Sequence, residues 1–223
     1  MTAPDQMNPA QNYAARLEID YPESLNRVTT AFRIILIIPV AILANILSAT
    51  AVSTVTVVTA SGQIVSQASR TGGGIAGALF LATLLMILFR QRYPRWWFDF
   101  ALEFNRFLAR IGAYAALLAD RYPSTVEEQS VHLDLDYPDA PADLNRWLPL
   151  VKWLMVIPHI VVLAFLAIGA VVVIVIAWFA ILFTGRYPRP LFDYVVGVSR
   201  WALRVSAYST LLITDRYPPF RLS

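Results

Sequence analysis

Long uncharged apolar stretches dominate the chain and support the first structural prediction. Asp, Glu, Lys and Arg are absent from Ile34 to Ser69, from Thr71 to Phe89 and from Trp153 to Gly185. Each stretch reaches the ~20 residues that a helix needs to cross the apolar core of a bilayer. The pattern therefore predicts an all-α integral membrane protein. It excludes a soluble enzyme, a disordered tail and a disulfide scaffold.

The same motifs occur in the same order in both halves, which predicts two tandem repeats. Each half has a Tyr-Pro, then Leu-Asn-Arg, an apolar stretch with an internal proline, Arg-Tyr-Pro-Arg, and a closing Asp-Arg-Tyr-Pro. Matching positions are Tyr21 and Tyr137, Asn26 and Asn145, Pro39 and Pro158, Arg92 and Arg186, and Asp120 and Asp215. The predicted organisation is a disordered polar segment at 1–15, a membrane repeat at 16–123, a linker at 124–130 and a second repeat at 131–223.

The two halves differ in the length of the apolar stretch. The internal proline precedes Arg92 by 53 residues in the first half, but precedes Arg186 by 28 in the second. The extra residues include 61–74, whose Ser and Gly content is typical of a loop. An insertion of loop residues suggests that the parent unit already turns there. We therefore predict a transmembrane helical hairpin in each half, with the turn of the second half near Gly169.

Basic residues flank both ends of each apolar stretch. Under the positive-inside rule both ends then lie in the cytoplasm, which favours four membrane spans with both termini cytoplasmic. The alternative is one tilted span in each half, because residues 148–183 supply only ~27 Å for each leg of a hairpin.

An amphipathic helix is predicted after each hairpin, at 96–119 and at 191–214. Each carries a narrow charged stripe on an otherwise apolar surface, which is typical of an interfacial helix lying at the membrane surface. The segments 16–20 and 131–136 alternate apolar and polar residues. Together with 220–222 they can pair into a small cytoplasmic β-element.

Several motifs of the second half resemble those of a bacterial membrane-protein family, the domain of unknown function 4389. They are Leu144–Trp153, Ile157–His159, Phe183–Arg189, Arg200–Trp201 and Asp215–Phe220. The resemblance covers 16–222, although Asn26–Thr30 lacks the tryptophans of the second half and the loop of the first half is enlarged. It implies an integral protein of the bacterial inner membrane, often built from repeated units, and it implies no activity.

Arginine supplies nearly all of the basic charge, and its planar guanidinium suits phosphate and carboxylate groups. The candidate binding residues lie in the Arg-Tyr-Pro-Arg motifs and on the two charged stripes. They are Arg92, Arg95, Arg106, Arg110, Arg186, Arg189, Arg200 and Arg204, with Asp99 and Asp193 as salt-bridge partners. Two interpretations of the stripes stay open: they form salt bridges within the protein, or their four arginines form one anion-binding surface.

The chain contains no cysteine and only two histidines, so no catalytic constellation, metal site or cofactor is expected. His159 is expected to bond the carbonyl that Pro158 leaves free, with a proton relay as the alternative. The favoured function is a non-enzymatic accessory or scaffold protein. It binds anionic lipid, and a membrane-protein partner or a second copy, through an Arg-rich cytoplasmic face. A nucleic-acid partner is not expected. The alternatives are a small oligomeric transporter or channel and a lipid-modifying enzyme.

Overall fold

The computed structural model describes residues 13–48, 51–58, 64–71, 74–124, 127 and 129–222. In chain order the elements are β1 (Ala15–Ile19), α1 (Arg27–Ala31), α2 (Arg33–Leu36), α3 (Ile38–Ser48), β2 (Ala51–Val58), β3 (Ile64–Thr71), α4 (Gly74–Leu85) with a π-helical turn at Met86–Arg90, α5 (Arg95–Ala115), β4 (Val131–Leu135), α6 (Ala140–Asp143), α7 (Pro149–Met155), α8 (Ile157–Thr184) and α9 (Arg189–Ser209).

The helices α5 and α9 form a middle layer between a small sheet and a set of apolar helices. On one side, α5 packs against β4 and α9 packs against β1. On the other side, α5 packs against α3 and α9 packs against α8, while α1 contacts α8. The apolar helices of the two halves therefore meet on the side of the middle layer that faces away from the sheet.

The predicted β-element is confirmed in its two main strands. β1 and β4 pair antiparallel, with Leu17 opposite Leu133 and Glu18 opposite His132. The leucines are buried and their polar neighbours are exposed, as the alternation of side chains along a strand requires. One face of this sheet thus packs on the helices, and the other is polar.

The prediction that 220–222 forms a third part of the β-element is wrong. This segment crosses α9 instead of pairing with a strand. A Cβ added to Gly197 would lie 2.7 Å from the backbone oxygen of Leu222, so glycine at this position admits the crossing.

The hairpin predicted for the second half is also wrong, because α8 runs unbroken from Ile157 to Thr184. Gly169 lies inside this helix and faces Tyr194 of α9. A Cβ at Gly169 would lie 2.7 Å from the Tyr194 hydroxyl, which donates a hydrogen bond to the carbonyl of Leu166 at 3.0 Å. The glycine therefore serves the close packing of two helices and does not mark a turn.

In the first half, the extra residues separate two helices that contact each other, α3 and α4. Between them β2 pairs antiparallel with β3, with Ala51 opposite Thr71 and Val58 opposite Ile64. The predicted hairpin places 51–58 in an apolar helix and 64–71 largely in a loop, and both predictions are wrong. Val and Thr are β-branched and favour strands. The predicted loop residues 61–63 and 72–73 lie outside the described residues.

Among the described residues, α8 alone is long and apolar enough to cross a membrane. Its 28 residues include a window with a mean hydropathy of 3.4, of which 11% is buried within the protein. The core helix of a water-soluble protein is mostly buried, whereas α8 exposes Phe165, Val172 and Phe183. This exposure supports membrane association. Two further apolar helices, at Arg33–Asn45 and Gly77–Arg90, are shorter than the ~20 residues that a crossing needs.

The two predicted amphipathic helices are present as α5 and α9, and both end four to five residues earlier than expected. Beyond them, Leu117 and Leu212 adopt left-handed backbone conformations, with φ of 64° and 56°. These turns carry the chain back toward Asp120 and Asp215, whose contacts are described below.

Candidate functional site

The first arginine of each charged stripe bonds the backbone of the sheet. Arg106 Nε donates to the carbonyl of Leu133 in β4 at 2.8 Å. Arg200 Nε donates to the carbonyl of Leu17 in β1, also at 2.8 Å. Each helix is thus tied to a strand from the other half of the chain.

The carboxylates paired with these helices differ from those expected. Arg106 contacts Glu103 and Asp134, both at 2.7 Å. Asp99 lies 3.9 Å from Arg95, and Asp193 lies 3.7 Å from Arg189. The two aspartates are thus salt-bridge partners of Arg95 and Arg189 and not of the stripe arginines, because an aspartate reaches an arginine one turn away more readily than one two turns away.

The second arginine of each stripe holds the segment that follows its helix. Arg110 Nη1 donates to the carbonyl of Ser124 at 2.7 Å. Arg204 is buried, and its Nη1 donates to the carbonyl of Arg221 at 3.2 Å. All four stripe arginines thus bond acceptors within the protein. This geometry favours the interpretation that the stripes bond groups within the protein. Each of the four arginines bonds a backbone carbonyl.

The arginines of the two Arg-Tyr-Pro-Arg motifs are exposed, and we call them the arginine rim. The rim consists of Arg92, Arg95, Arg186 and Arg189, which follow the ends of the π-helical turn and of α8. Arg95 lies over the ring of Tyr137 at 4.8 Å, and Arg189 lies over Tyr21 at 4.5 Å. Within the described ranges, Arg92 and Arg186 have no carboxylate partner.

Exposed aromatic side chains accompany the rim. Phe89 and Trp96 are 73% and 70% exposed near its first pair of arginines, and Phe183 is 78% exposed near its second pair. Arginine and tryptophan together are typical of the interface between a bilayer and water. The rim therefore has the chemistry of a surface that contacts phospholipid headgroups.

Two ion pairs, each formed by a buried cation and a partly buried aspartate, were not predicted from the sequence. Lys152 is fully buried, and its Nζ lies 2.7 Å from Asp215 Oδ1 and donates to the carbonyl of Thr214. Burial lowers the pKa of the Lys152 ammonium, and the Asp215 carboxylate partly opposes this shift. In the first half the buried Arg33 pairs with Asp120 in the same way.

A signal for these pairs was present in the repeat. Arg33 and Lys152 stand at matching distances before the internal prolines, and Asp120 and Asp215 open the matching Asp-Arg-Tyr-Pro motifs. The same aspartates also accept from the backbone N–H of the matching asparagines: Asp120 from Asn26 at 2.7 Å and Asp215 from Asn145 at 2.5 Å.

His159 is buried within a cluster of aromatic rings. Its Nδ1 accepts from Trp201 Nε1 at 3.2 Å, and its ring stacks on Phe220 with centroids 3.9 Å apart. Pro158 lies in the first turn of α8, where a proline frees no carbonyl of the helix. The expectation that His159 bonds such a carbonyl is therefore wrong. In the part of the chain that the structure describes, no group of three or more His, Asp or Glu is arranged to hold a metal ion.

One family model matches part of the chain. The family model of DUF4389, a domain of unknown function, matches residues 147–221. No curated protein and no solved structure matches the chain. The matched segment begins just before α7 and extends through α8 and α9 into the C-terminal segment that crosses α9. The resemblance expected from the sequence is thus confirmed for residues 147–221 of the second half, which match the DUF4389 family model.

Proposed function

We propose that this protein is a non-enzymatic accessory or scaffold protein of the bacterial inner membrane that binds anionic phospholipid through the arginine rim. Its cytoplasmic face also docks a membrane-protein partner or a second copy of the chain. The observation that carries the proposal is the exposure of all four rim arginines beside exposed aromatic side chains. The four stripe arginines, by contrast, bond the protein itself.

The order of the layers supports a particular placement in the membrane. Polarity increases from α8 and α3, through α5 and α9, to the outer face of the β1–β4 sheet, where Arg16 pairs with Asp136 at 2.6 Å. We therefore place the membrane with its normal perpendicular to the layers. The apolar helices then lie in the lipid, whereas the sheet and both termini lie in the cytoplasm. Four crossings do not fit this arrangement, because α8 is one continuous helix and not the predicted hairpin.

The duplication expected from the sequence is part of the proposal, since contacts recur at matching positions. The stripe arginines bond Leu133 in one half and Leu17 in the other. The rim arginines lie over Tyr137 and over Tyr21. We infer that the halves are copies of one unit, each of which lends its first strand to the helix of the other.

Lipid retention tests this proposal. The double variant Arg92→Gln/Arg186→Gln removes two rim charges that have no carboxylate partner among the described residues. A basic residue near an anionic membrane surface contributes about 1 kcal/mol, so we expect retention of phosphatidylglycerol to weaken about thirty-fold. Native mass spectrometry of the protein released from its membrane measures the retained lipid.

The matched control is Arg16→Gln/Arg216→Gln, which removes two exposed charges outside the rim. This control is expected to retain phosphatidylglycerol as the parent protein does. Equal retention by the rim variant and the parent would contradict the lipid-binding role.

A further inference from the structure

A cleft of about 650 Å³ opens beside the first Arg-Tyr-Pro-Arg motif. Its lining comes from two segments that are distant in sequence, 86–96 and 137–141. The first segment contributes the cations Arg90 and Arg92, and the second contributes the carboxylate of Asp139. The cleft is within the volume range of small-molecule sites.

The charges that line this cleft are not neutralised by one another. Arg90, Arg92 and Asp139 are all exposed. Within the described ranges none of their side chains has an ion-pair partner, although all three line the same cleft. The cleft thus offers separate positive and negative groups, which suits a ligand that carries both charges.

The backbone that presents the two arginines is irregular and held in place. The π-helical turn Met86–Arg90 ends at Gln91, which has a left-handed φ of 45°. Gln91 Oε1 accepts from Arg146 Nη2 at 3.1 Å. Short π-helical segments and left-handed residues other than glycine are frequent at functional sites, where the surrounding contacts maintain them.

The two segments of the lining are also bonded to each other. The Tyr137 hydroxyl donates to the backbone carbonyl of Tyr93. The ring of Tyr137 lies edge-on to Phe98, with centroids 5.2 Å apart, and beneath Arg95. The two segments that line the cleft are therefore held together without a ligand.

We propose that this cleft binds the headgroup of an aminophospholipid, with its phosphate at Arg90 and Arg92 and its primary ammonium at Asp139. Guanidinium groups bind phosphate oxygens through paired hydrogen bonds, and an ammonium donates to a carboxylate. Trp96, which also lines the cleft, is placed to contact the glycerol and upper acyl region of the lipid. This inference rests on the membrane placement proposed above but not on the binding of anionic lipid.

Competition among lipids with identical acyl chains tests the inference. The parent protein in detergent is mixed with equal amounts of phosphatidylethanolamine, phosphatidylcholine and phosphatidylglycerol, and native mass spectrometry counts the bound lipid. We expect phosphatidylethanolamine to be retained over phosphatidylcholine. Asp139→Asn is expected to lower retention of phosphatidylethanolamine about tenfold, because one charged hydrogen-bond partner is lost.

Glu23→Gln is the matched control, since Glu23 follows the other Tyr-Pro and does not line this cleft. The control is expected to leave the preference unchanged. Equal retention of phosphatidylethanolamine and phosphatidylcholine by the parent, or an unchanged preference in Asp139→Asn, would overturn the inference. Equally tight binding of soluble glycerophosphoethanolamine would overturn the assignment to a lipid.

The two proposals fail separately. In one outcome, Asp139→Asn loses the preference for phosphatidylethanolamine while Arg92→Gln/Arg186→Gln retains phosphatidylglycerol normally. This outcome supports the aminophospholipid cleft and rejects the anionic-lipid role of the rim. The reverse result rejects the aminophospholipid cleft and leaves the rim.

Discussion

The buried pair of Lys152 and Asp215 illustrates how this protein accommodates charge next to its apolar helices. Lys152 is enclosed, and its ammonium contacts the carboxylate of Asp215, the carbonyl of Thr214 and the face of the Tyr208 ring. A buried ion whose partner is removed loses the interaction that offsets its desolvation. The pair therefore anchors the start of the apolar helices to the segment that follows α9.

At this position we predict a large effect from the loss of one charge. Asp215→Asn removes the counter-charge of the enclosed ammonium and is expected to lower the free energy of unfolding by about 3 kcal/mol. Asp193→Asn is the control, since Asp193 and Arg189 form an exposed pair at 3.7 Å, and it is expected to cost less than about 1 kcal/mol. Denaturant unfolding in detergent measures both, and equal costs would contradict the assigned role of the buried pair.

The residue chemistry of the rim was foreseeable, but the role of the stripes was not. An Arg-Tyr-Pro-Arg motif after an apolar stretch predicts exposed cations, and Arg92 and Arg186 are exposed. Arg106 and Arg200 instead bond the carbonyls of Leu133 and Leu17. Every residue carries a carbonyl, so the identity of such an acceptor leaves no trace in the sequence.

Among the elements, α8 and its counterpart in the first half differ most from expectation. The 28-residue α8 is continuous, whereas in the first half α3 and α4 are separated by the β2–β3 hairpin. Under the proposed duplication, the extra residues of the first half therefore interrupt a helix, and the inference that the parent unit turns there does not hold. Periodicity identified α5 and α9 because one face of each is charged. It did not distinguish one long apolar helix from two short ones, because α8 is apolar all round.

Substitution of Gly169 tests the packing of α8 on α9. Gly169→Ala would place a Cβ 2.7 Å from the Tyr194 hydroxyl and is expected to destabilise the protein by about 1–3 kcal/mol. Removing that hydroxyl makes room, so Tyr194→Phe is expected to restore part of the loss in the double variant. Thermal unfolding in detergent provides the comparison.

The control for this prediction is Gly112→Ala in α5, where an added Cβ meets nothing within 4 Å. Alanine is favoured over glycine by about 0.5–1 kcal/mol within a helix, so the control is expected to be stabilising. A stabilising effect of Gly169→Ala as well would contradict the close contact between α8 and α9.

The whole molecule is a stack of layers in which polarity increases in one direction. Apolar helices lie on one side, amphipathic helices in the middle and a half-polar sheet on the other side. Hydropathy alone predicted the apolar layer, and alternation predicted the sheet. The packing of α9 on β1 and of α5 on β4 was not predictable from these patterns. A strand has the same alternation, and a helix the same apolar face, whichever half of the chain its partner comes from.

The proposed placement puts the exposed surface of α8 in lipid and the sheet in water. The chain has no cysteine, so single cysteines carrying a spin label can be introduced at Ile168, an exposed residue of α8, and at Glu18, an exposed residue of β1. Electron paramagnetic resonance in phosphatidylethanolamine–phosphatidylglycerol vesicles then compares relaxation by oxygen, which partitions into lipid, with relaxation by a water-soluble nickel chelate. We expect relaxation by oxygen to dominate at Ile168 and relaxation by nickel to dominate at Glu18, as the proposed placement requires. Dominant relaxation by nickel at Ile168 would contradict it.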